Sequence, residues 1–451
     1  MAKFMALQQI VTRFAPSPTG LFHAGSYRTA VFAYLFARHH KGIFIVRIED
    51  TDKARSKKEY EEHILETLAW LGVEYDFLHR QSEWVGEHEF ILRNLVETNK
   101  AYVSRETNEA GEEREVIRFR NPGKTVTFTD IIRGDISMDT TELGDFVIAK
   151  SFTEPLFHFA VVADDALTGV NRIIRGDDHI SNTPRQILIY EALGAIVPKY
   201  AHLPLVLAPD RSKLSKRKGA LPVSEYRDRG FLPEAMLNYI AMLGWHPGTD
   251  EEIFTKKELI ERFTLDQVQK SGAMFDEVKL RWFNREHLLR VEHEKFKTES
   301  RNYFPENTLL GLEKTGRLDT VLELLRERIE TYSDIRELAS EGELGYFAEA
   351  PEYDAAKLVW KQDSGPQEPQ KHLAKVAELI TPIAEDAWTK ESVKEAVWSY
   401  AEIEGKGSVL WPMRYALTGR DKSPDPFEVA GILGKNETLL RIKTALEKLV
   451  A

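Results

Sequence analysis

The chain has 451 residues, of which 42% are hydrophobic and 29% are charged, and this composition excludes a disordered or fibrous protein. At roughly 150 residues per domain, the length suggests about three domains. The lack of cysteine excludes disulfide bonds, thiolate metal sites and a cysteine nucleophile. Because the formal net charge is −11, the chain is not a globally basic nucleic-acid coat, and a polyanionic partner would need a local basic surface.

The sequence predicts a cytoplasmic protein with no membrane partner. No apolar run approaches the length of about 18 residues that a bilayer span needs. The first residues also lack the basic-then-apolar order of a signal peptide.

Strands and helices alternate at the start of the chain. The β-branched run 9–15 predicts a strand that ends in the turn-forming sequence PSPTG. Ser26 or a neighbour is predicted to cap a helix that ends near His40. The strand GIFIVRIED (42–50) and a helix over about 56–71 follow. Such a unit favours a parallel sheet that binds ligands at the carboxyl ends of its strands.

Residues from about 100 to 156 interrupt this alternation. The polar run ETNEAGEERE is followed by short β-like pieces, EVIRFR and TVTFTD, which we interpret as an inserted α+β subdomain. The strand–helix pattern resumes in FHFAVVADD (157–165) and NRIIRGDDH (171–179), and Pro184 suits the first turn of a helix. The predicted fold class is therefore α/β, with a split Rossmann-type parallel sheet and an inserted subdomain.

Beyond Gly219 the chain is predicted to be mostly helical. Apolar residues recur at helical spacing in PEAMLNYIAML, VLELLRERI and ETLLRIKTALEKLV. The segment SGPQEPQ near residue 365 is interpreted as a linker. This pattern predicts an all-α C-terminal domain.

Two short motifs are candidates for the chemistry. His23 and Gly25 follow a strand and precede a helix, where backbone amides favour a phosphate and an imidazole can donate to it. Such a tripeptide is by itself more often a simple turn. The segment 211–218 has five cations and no acid, and within it KLSKR (213–217) suits the charge of a leaving pyrophosphate. The alternative for this second motif is a solvated basic loop.

The two motifs bracket a split α/β fold with a helical tail, and the chain resembles a known family. PSPTGLFHAGS resembles the HIGH signature, and KLSKR the KMSKS signature, of class I aminoacyl-tRNA synthetases. RFAPSPTG, RIEDTD and GDDHISNTPRQ are similar to glutamyl-tRNA synthetases in particular. In the tail, KLRWFNREHL resembles the stem-contact segment, and WPMRYALTGRDKSPDPFEVAGILG the C-terminal anticodon-binding domain.

The resemblance implies a domain order and an activity. The predicted domains are the first Rossmann half (1–92), a shortened acceptor-binding insert without a zinc site (93–156), the second Rossmann half (157–210), the KMSKS loop and stem-contact region (211–292) and the α-helical anticodon-binding domain (293–451). The implied activity is ATP-dependent attachment of L-glutamate to tRNA(Glu) through a glutamyl-adenylate, then transfer to the terminal adenosine. Mg²⁺ at the phosphates, no zinc and a monomeric state are also implied.

The resemblance further implies the site residues. Arg13 and Arg175 are expected to bind carboxylates, and Glu49 is expected to pair with the substrate ammonium group. For each of them, an ion pair within the protein is the alternative. The implied glutamate pocket consists of Arg13, Ala15, Ser17, Glu49, Phe157, Val161 and Arg175. The implied ATP site consists of His23, Gly25, Asp178, His179 and Lys216, and the implied catalytic residues are His23, Lys213 and Lys216.

Three features depart from the family pattern. Ala24 stands where the HIGH signature usually has a larger aliphatic residue, and we expect this change to leave His23 in place. Phe157 stands where the family commonly has a tyrosine, so one hydroxyl contact to glutamate would be missing. The insert is shorter than usual and reads AYVSRE where a zinc-binding cysteine cluster often sits, so no zinc knuckle can form.

The tail poses the question of tRNA specificity. Arg328 aligns with an arginine that helps the family to read the last anticodon base, and a helix charge paired with Glu327 or Glu330 is the alternative. Three rival functions remain open at this stage. A non-discriminating enzyme would also glutamylate tRNA(Gln), a catalytically silent paralogue would only bind tRNA, and a small-molecule adenylyltransferase would leave the helical tail without a role.

Overall fold

The computed structural model describes residues 9–107, 113–214 and 221–450. The strands are β1 (Val11–Phe14), β2 (Ile43–Ile48), β3 (Phe77–Arg80), β4 (Ala101–Thr107), β5 (Glu113–Phe119), β6 (Thr125–Asp130), β7 (Gly134–Asp139), β8 (Phe146–Ser151), β9 (Glu154–Pro155), β10 (Arg172–Gly176), β11 (Lys199–Leu203), β12 (Val206–Leu207) and β13 (Ala273–Met274). The α-helices are α1 (Ala24–His39), α2 (Lys58–Trp70), α3 (Val85–Glu97), α4 (Phe157–Thr168), α5 (Thr183–Ala192), α6 (Val223–Asp228), α7 (Pro233–Met242), α8 (Lys256–Arg262), α9 (Glu277–Leu288), α10 (His293–Arg301), α11 (Glu306–Lys314), α12 (Leu318–Arg328), α13 (Asp334–Ser340), α14 (Gly345–Ala348), α15 (Gln367–Ile380), α16 (Lys390–Glu404), α17 (Lys406–Thr418), α18 (Pro426–Leu433) and α19 (Lys435–Val450).

Seven strands form one sheet in the order β3-β2-β1-β10-β11-β6-β7. The neighbours from β3 to β6 run parallel, and β7 pairs antiparallel with β6 at one edge. Thr12 of β1 pairs with Phe44 of β2 and with Arg172 of β10, so these three strands end at the same edge of the sheet. The sheet is the predicted split Rossmann-type sheet, because β1 and β2 come from the first half and β10 and β11 from the second.

Helix α1 lies against the sheet and is buried nearly all round, as its apolar sequence requires. Tyr34 packs edge-on against Phe44 of β2, with ring centroids 5.7 Å apart. The predicted cap, Ser26 or a neighbour, lies too late in the chain, because the N-cap residue is His23, three positions earlier, and Ser26 lies in the first turn. His23 has the extended backbone that an N-cap needs, and its carbonyl accepts the amide of Ser26 at 2.9 Å.

The interval between the two halves does not form a single sheet. Strands β4, β5, β8 and β9 form a separate four-stranded antiparallel sheet. The hairpin β6–β7 instead joins the seven-stranded sheet, where Asp130 pairs with Tyr200 of β11. FHFAVVADD forms helix α4, whereas NRIIRGDDH contains strand β10. A short apolar run does not reveal by periodicity alone whether it is a strand or a buried helix, and α4 ends at Gly169 in the left-handed conformation.

The C-terminal part is helical, as predicted. The described chain divides into two compact units between His287 and Leu288, and the second unit contains α10 to α19. The prediction that SGPQEPQ is a linker is wrong in its second half, because α15 begins at Gln367 and Pro369 is buried in its first turn. Proline is tolerated there because a first-turn amide has no intrahelical partner. Among the helices described, none has the length and apolarity to cross a bilayer.

Candidate active site

A cavity of about 490 Å³ lies at the carboxyl ends of β1, β2 and β10. All the described residues that the sequence analysis assigned to catalysis, to glutamate or to ATP line this cavity: Arg13, Ala15, Ser17, His23, Gly25, Glu49, Phe157, Val161, Arg175, Asp178, His179 and Lys213. Lys216 lies outside the described residues. The fold therefore brings together side chains from both halves of the sheet, while their individual roles stay predictions.

Arg175 enters the cavity from the end of β10 and is held by neutral groups. Its Nε donates to Nε2 of His202 at 3.2 Å, and its Nη2 donates to Oγ1 of Thr183 at 2.6 Å. The guanidinium also lies over the ring of Tyr200, 5.4 Å from the centroid. Among the described residues, no carboxylate forms an ion pair with Arg175. Burial lowers the pKa of Arg175 to about 10, so the group is still a cation at neutral pH.

Arg13, in contrast, has a carboxylate partner within the protein. Its Nε lies 3.3 Å from both carboxylate oxygens of Asp165, a buried residue of α4. The same carboxylate accepts from Nη1 of Arg47 at 2.5 Å. Burial by itself would raise the pKa of Asp165, but the charges of Arg13 and Arg47 outweigh burial and lower that pKa. The Nε of Arg13 therefore forms an internal ion pair, which was the alternative interpretation of this residue. The rest of the guanidinium group remains at the cavity wall.

Glu49 follows β2 and is only 8% exposed. Its Oε1 accepts from Nη2 of Arg47 at 3.2 Å, so it also has an internal partner. Burial raises the pKa of Glu49, and the nearby charges of Arg47 and Arg13 act in the opposite direction. Glu49 lines the cavity and is available to an ammonium group there.

His23 and Gly25 lie at the N-terminus of α1, a helix of 16 residues. The positive end of this helix dipole points toward the cavity and favours an anion. A Cβ atom at Gly25 would lie 3.0 Å from Cε1 of His23 and 3.3 Å from Cβ of Val206. Glycine at this position therefore gives the imidazole room to lie against the first turn of α1.

Lys213 and Asp178 face each other across the mouth of the cavity. Nζ of Lys213 donates to Oδ2 of Asp178 at 3.1 Å, and both side chains are more than half exposed. Burial would raise the pKa of Asp178, but the hydrogen bond from Lys213 outweighs it and lowers that pKa. Because the pair is exposed, a strongly charged ligand can compete for Lys213 at little cost.

Two imidazoles near the cavity are neutral. Burial lowers the pKa of His179 to about 4, and the charge of Arg175 acts in the same direction. Burial likewise lowers the pKa of His158 to about 4. The ring of Phe157 packs 5.8 Å from that of His179 and is 41% exposed. The two residues of α4 that line the cavity, Phe157 and Val161, are also uncharged.

A second cavity, of about 900 Å³, adjoins the first. The two cavities share Ser17, Glu49 and Phe157 as a common wall. The second cavity is lined on one side by the loop 51–55 and on the other by residues of the four-stranded sheet and the turn before α4. It therefore connects the candidate site to the inserted subdomain.

Arg328 is the last residue of α12 in the C-terminal unit. Its Nη2 donates to Oε2 of Glu343 at 2.6 Å, a partner that the helix-charge alternative did not name. Glu343 lies beyond α13, and a contact at that sequence distance cannot be inferred from helical spacing. Nothing in this geometry tests the anticodon role.

In the described ranges, no three His, Asp or Glu side chains lie close enough together to hold a metal ion.

The sequence analysis did not identify the residues that contact the cavity-lining side chains from outside the cavity. Arg47 could have been found, because it lies near the end of β2, two residues before Glu49, and side chains two residues apart in extended chain point to the same face. Asp165 stands in the quoted run FHFAVVADD, but its partner Arg13 is 152 positions away. His202, Asp130 and Thr183 carry no local signal, since their contacts depend on which strands are neighbours.

Comparisons with known proteins cover both compact units. Residues 9–115 and 106–282 match the family described as "tRNA synthetases class I (E and Q), catalytic domain", and residues 293–446 match the family "Anticodon binding domain". A glutamate–tRNA ligase of Carboxydothermus hydrogenoformans is 38% identical in an alignment of 480 positions that covers 95% of this chain and 98% of that protein. A glutamate–tRNA ligase of Aquifex aeolicus is 38% identical over 98% of this chain and 100% of that protein.

Solved structures are similar over the same extent. A glutamate tRNA ligase from Elizabethkingia meningosepticum, in complex with its amino acid, matches with a TM-score of 0.84 and 31% identity, covering 98% of this chain and 100% of that one. A glutamate-tRNA synthetase from Elizabethkingia anophelis matches with a TM-score of 0.80 and 30% identity, with the same coverage. The similarity therefore includes the cavity as well as the helical C-terminal unit.

Proposed function

Since the chain belongs to the glutamyl-tRNA synthetase family of class I aminoacyl-tRNA synthetases, we propose that it attaches L-glutamate to tRNA(Glu) in an ATP-dependent reaction. The observation that supports this most directly is the cavity itself. It combines two arginines and a glutamate with the N-terminus of a long helix and a lysine at its mouth. This is the charge pattern that a dicarboxylic amino acid and a triphosphate together require.

Glutamate would bind at the inner end of the cavity. It has two carboxylates and one ammonium group, which match Arg175, Arg13 and Glu49 in sign and number. A guanidinium can hold a carboxylate with two parallel hydrogen bonds, so the arginines fix orientation as well as charge. Phe157 and Val161 would supply apolar contact along the methylene groups, and Ala15 and Ser17 the opposite wall.

The first chemical step would join glutamate to AMP. An oxygen of the α-carboxylate attacks the α-phosphorus of ATP, the bond from that phosphorus to the bridging oxygen breaks, and pyrophosphate leaves with the electron pair. The N-terminus of α1, His23 and Lys213, together with Lys216, would stabilise the phosphate charge, with Asp178, His179 and Gly25 around the nucleotide. No protein nucleophile is needed, so catalysis is positioning and charge stabilisation.

The second step would transfer the glutamyl group. The terminal adenosine hydroxyl of the tRNA attacks the carbonyl carbon of the adenylate, loses its proton, and AMP leaves. The second cavity adjoins the first at Phe157 and Glu49, so a nucleotide strand that enters it would reach the adenylate. The loop 51–55 and Lys150 of β8 provide cations beside such a strand.

Mg²⁺ would arrive with ATP. The described side chains offer no group of three ligands for a resident ion, and the carboxylate at the cavity mouth is paired with Lys213. Mg²⁺ commonly keeps its waters and binds substrate phosphates, so this arrangement suits an ion that ATP brings. The steps above depend on the residues of the chain and are not routed through the ion.

The remaining assignments belong to the same proposal. Residues 93–156 would guide the acceptor end, residues 293–451 would bind the anticodon through Arg328, and the enzyme would act as a monomer in the cytoplasm, where tRNA is charged. Charging of tRNA(Gln) and tRNA binding without catalysis are not favoured by the comparisons, whose relatives are named as glutamate–tRNA ligases.

The experiment that tests the function is charging with labelled glutamate or labelled glutamine on separate transcripts of tRNA(Glu) and tRNA(Gln). We expect glutamate on tRNA(Glu) alone, and loss of that activity in His23→Ala. Glutamate on both transcripts would replace the proposal by a non-discriminating enzyme. No charging of either transcript by the wild-type chain would refute it.

A further inference from the structure

We propose that Asp130, His202 and Thr183 are positioning residues that hold Arg175 as an un-neutralised cation for the side-chain carboxylate of the substrate. The inference rests on the proposed function, because it takes glutamate as the ligand of Arg175. It concerns three buried residues to which no role has been assigned above. Each comes from a different element: β6, β11 and the start of α5.

The hydrogen-bond partners of His202 determine its tautomer. Its Nδ1 lies 2.6 Å from Oδ2 of Asp130, and its Nε2 lies 3.2 Å from Nε of Arg175. A carboxylate only accepts and a guanidinium only donates. The hydrogen must therefore be on Nδ1, and Nε2 must offer its lone pair to Arg175. Burial also lowers the pKa of His202, which favours this neutral ring.

Asp130 is itself fixed, so it can hold the ring. Its Oδ1 accepts the backbone amides of Ile132 and Arg133 at 2.9 and 2.8 Å, and Oδ2 accepts the amide of His202 at 3.0 Å. Asp130 and His202 are almost fully buried. The side chain of His202 is also stacked on Tyr200, with ring planes 7° apart. The imidazole therefore has one orientation and one tautomer.

The result is an arginine that is oriented without being neutralised. The imidazole stands between the charge of Asp130 and that of Arg175, and the second acceptor of Arg175 is the hydroxyl of Thr183. Arg13 differs, because Asp165 pairs with it directly. A cation whose hydrogen-bond acceptors are all neutral still attracts an incoming anion. The two hydrogen bonds also orient its guanidinium group before the anion binds. We infer that this chain of contacts sets the affinity for glutamate.

The test measures KM and kcat for charging of tRNA(Glu), with L-glutamate and ATP varied separately. Thr183→Val removes the hydroxyl at constant volume, and His202→Leu removes the ring acceptor. We expect each variant to raise KM for L-glutamate by about tenfold or more, the usual effect of losing a hydrogen bond to a charged group. Both kcat and KM for ATP should stay within about twofold of wild type.

Two further variants make the result specific. His202→Gln keeps a donor and an acceptor on one side chain, and we expect it to recover most of the glutamate affinity lost in His202→Leu. Thr67→Val is the matched control, because Thr67 is also buried and donates to a backbone carbonyl, that of His63 at 2.8 Å, outside the cavity. It should leave KM for L-glutamate unchanged. Thermal unfolding identifies any variant that does not fold. If His202→Leu does not fold, the test depends on Thr183→Val.

The outcomes separate this inference from the function on which it rests. If the wild-type chain does not charge tRNA with glutamate, the function itself is wrong. If the wild-type chain charges and Thr183→Val leaves KM for L-glutamate unchanged, the positioning role is overturned and the function stands. A parallel loss of ATP affinity, or a His202→Gln variant no better than His202→Leu, would likewise reduce these residues to a structural role.

Discussion

At the scale of single residues, the cavity holds two arginines in two electrostatic states. Arg13 is ion-paired with Asp165, which it shares with Arg47, whereas Arg175 has neutral acceptors among the described residues. An ion pair already formed at Arg13 gains less from a second anion than an unpaired cation does. Discrimination between glutamate and an uncharged analogue should therefore depend mainly on Arg175.

Arg175→Lys tests this difference. We expect KM for L-glutamate to rise about tenfold or more. One ammonium group cannot replace a guanidinium group that contacts His202, Thr183 and a carboxylate at the same time. The control is Arg172→Lys on the same strand, since Arg172 donates to the backbone carbonyl of Asn171 at 2.8 Å and does not line the cavity. Steady-state charging rates give KM for L-glutamate in both variants. An unchanged KM in Arg175→Lys would contradict the assignment of Arg175 to the substrate carboxylate.

Gly25→Ala probes the other end of the cavity. The added methyl group would meet the ring of His23 at 3.0 Å and displace it from the first turn of α1. We expect kcat to fall about tenfold or more while thermal stability stays near that of wild type. Gly86→Ala is the matched control, because Gly86 is also in the first turn of a helix, α3, and a Cβ there meets nothing within 4 Å. Equal rates in both variants would argue against a role for the imidazole.

At the scale of elements, α4 and the turn after β10 place two neutral imidazoles beside the cavity. The pKa values of His158 and His179 are both lowered to about 4, from an ordinary value of about 6.5. Between those two values, the unfolded chain binds protons that the folded chain does not. The stability contributed by these groups is therefore complete above pH 6.5 and is lost as the pH falls toward 4.

The pH dependence of the unfolding temperature tests whether stability falls as the pH is lowered. We expect the wild-type Tm to be lower at pH 5.0 than at pH 7.5, as follows from the two lowered pKa values. His158→Gln should reduce that difference, because one buried imidazole no longer takes up a proton on unfolding. His246→Gln changes an exposed histidine and should keep the full difference. A His158→Gln variant with the wild-type pH slope would show that this imidazole is not the source.

At the scale of the whole molecule, the two compact units have separate tasks in the proposed reaction. The cavity lies in the first unit, and Arg328 lies in the second. With a net charge of −11, the chain does not attract tRNA by its average charge, so individual cations must contribute. A change at Arg328 should therefore affect tRNA and leave the small substrates unaffected.

Arg328→Gln makes this separation measurable. We expect kcat/KM for tRNA(Glu) to fall about tenfold, because a bidentate base contact is worth about one to three kcal/mol. Transcripts changed at the last anticodon base should be charged by the variant with less discrimination than by wild type. Arg301→Gln removes another half-exposed arginine that pairs with a glutamate in the same unit, and it serves as the control. Wild-type selectivity in Arg328→Gln would refute the anticodon role.

Most of the predicted cavity residues were named through the resemblance to the family, and the predicted parallel sheet explains why three of them lie together. Arg13, Glu49 and Arg175 stand at the carboxyl ends of three strands, and a parallel sheet must bring such ends together. The first turn of α1 was placed three residues late, because sequence preference favours Ser26 over His23 as a cap.

The contacts behind the cavity were not predictable in the same way. The pairing of Asp165 with Arg13 and Arg47 joins α4 to two strands, and the contact of Asp130 with His202 needs β6 to lie beside β11. Sequence spacing does not specify which strand of an insert returns to the main sheet. FHFAVVADD was assigned only to a strand–helix pattern, because a run buried on all sides has no helical period that would identify it as a helix.

The return of the hairpin β6–β7 to the main sheet limits how the insert can change in evolution. Because β6 ends in Asp130, the chain that interrupts the two halves also supplies the support for Arg175. Changes in the four-stranded sheet that leave Phe157 in place should affect amino-acid recognition less than changes in the hairpin. Deleting the hairpin would remove the anchor of His202, so descendants of this chain should keep those few residues even where the rest of the insert is lost.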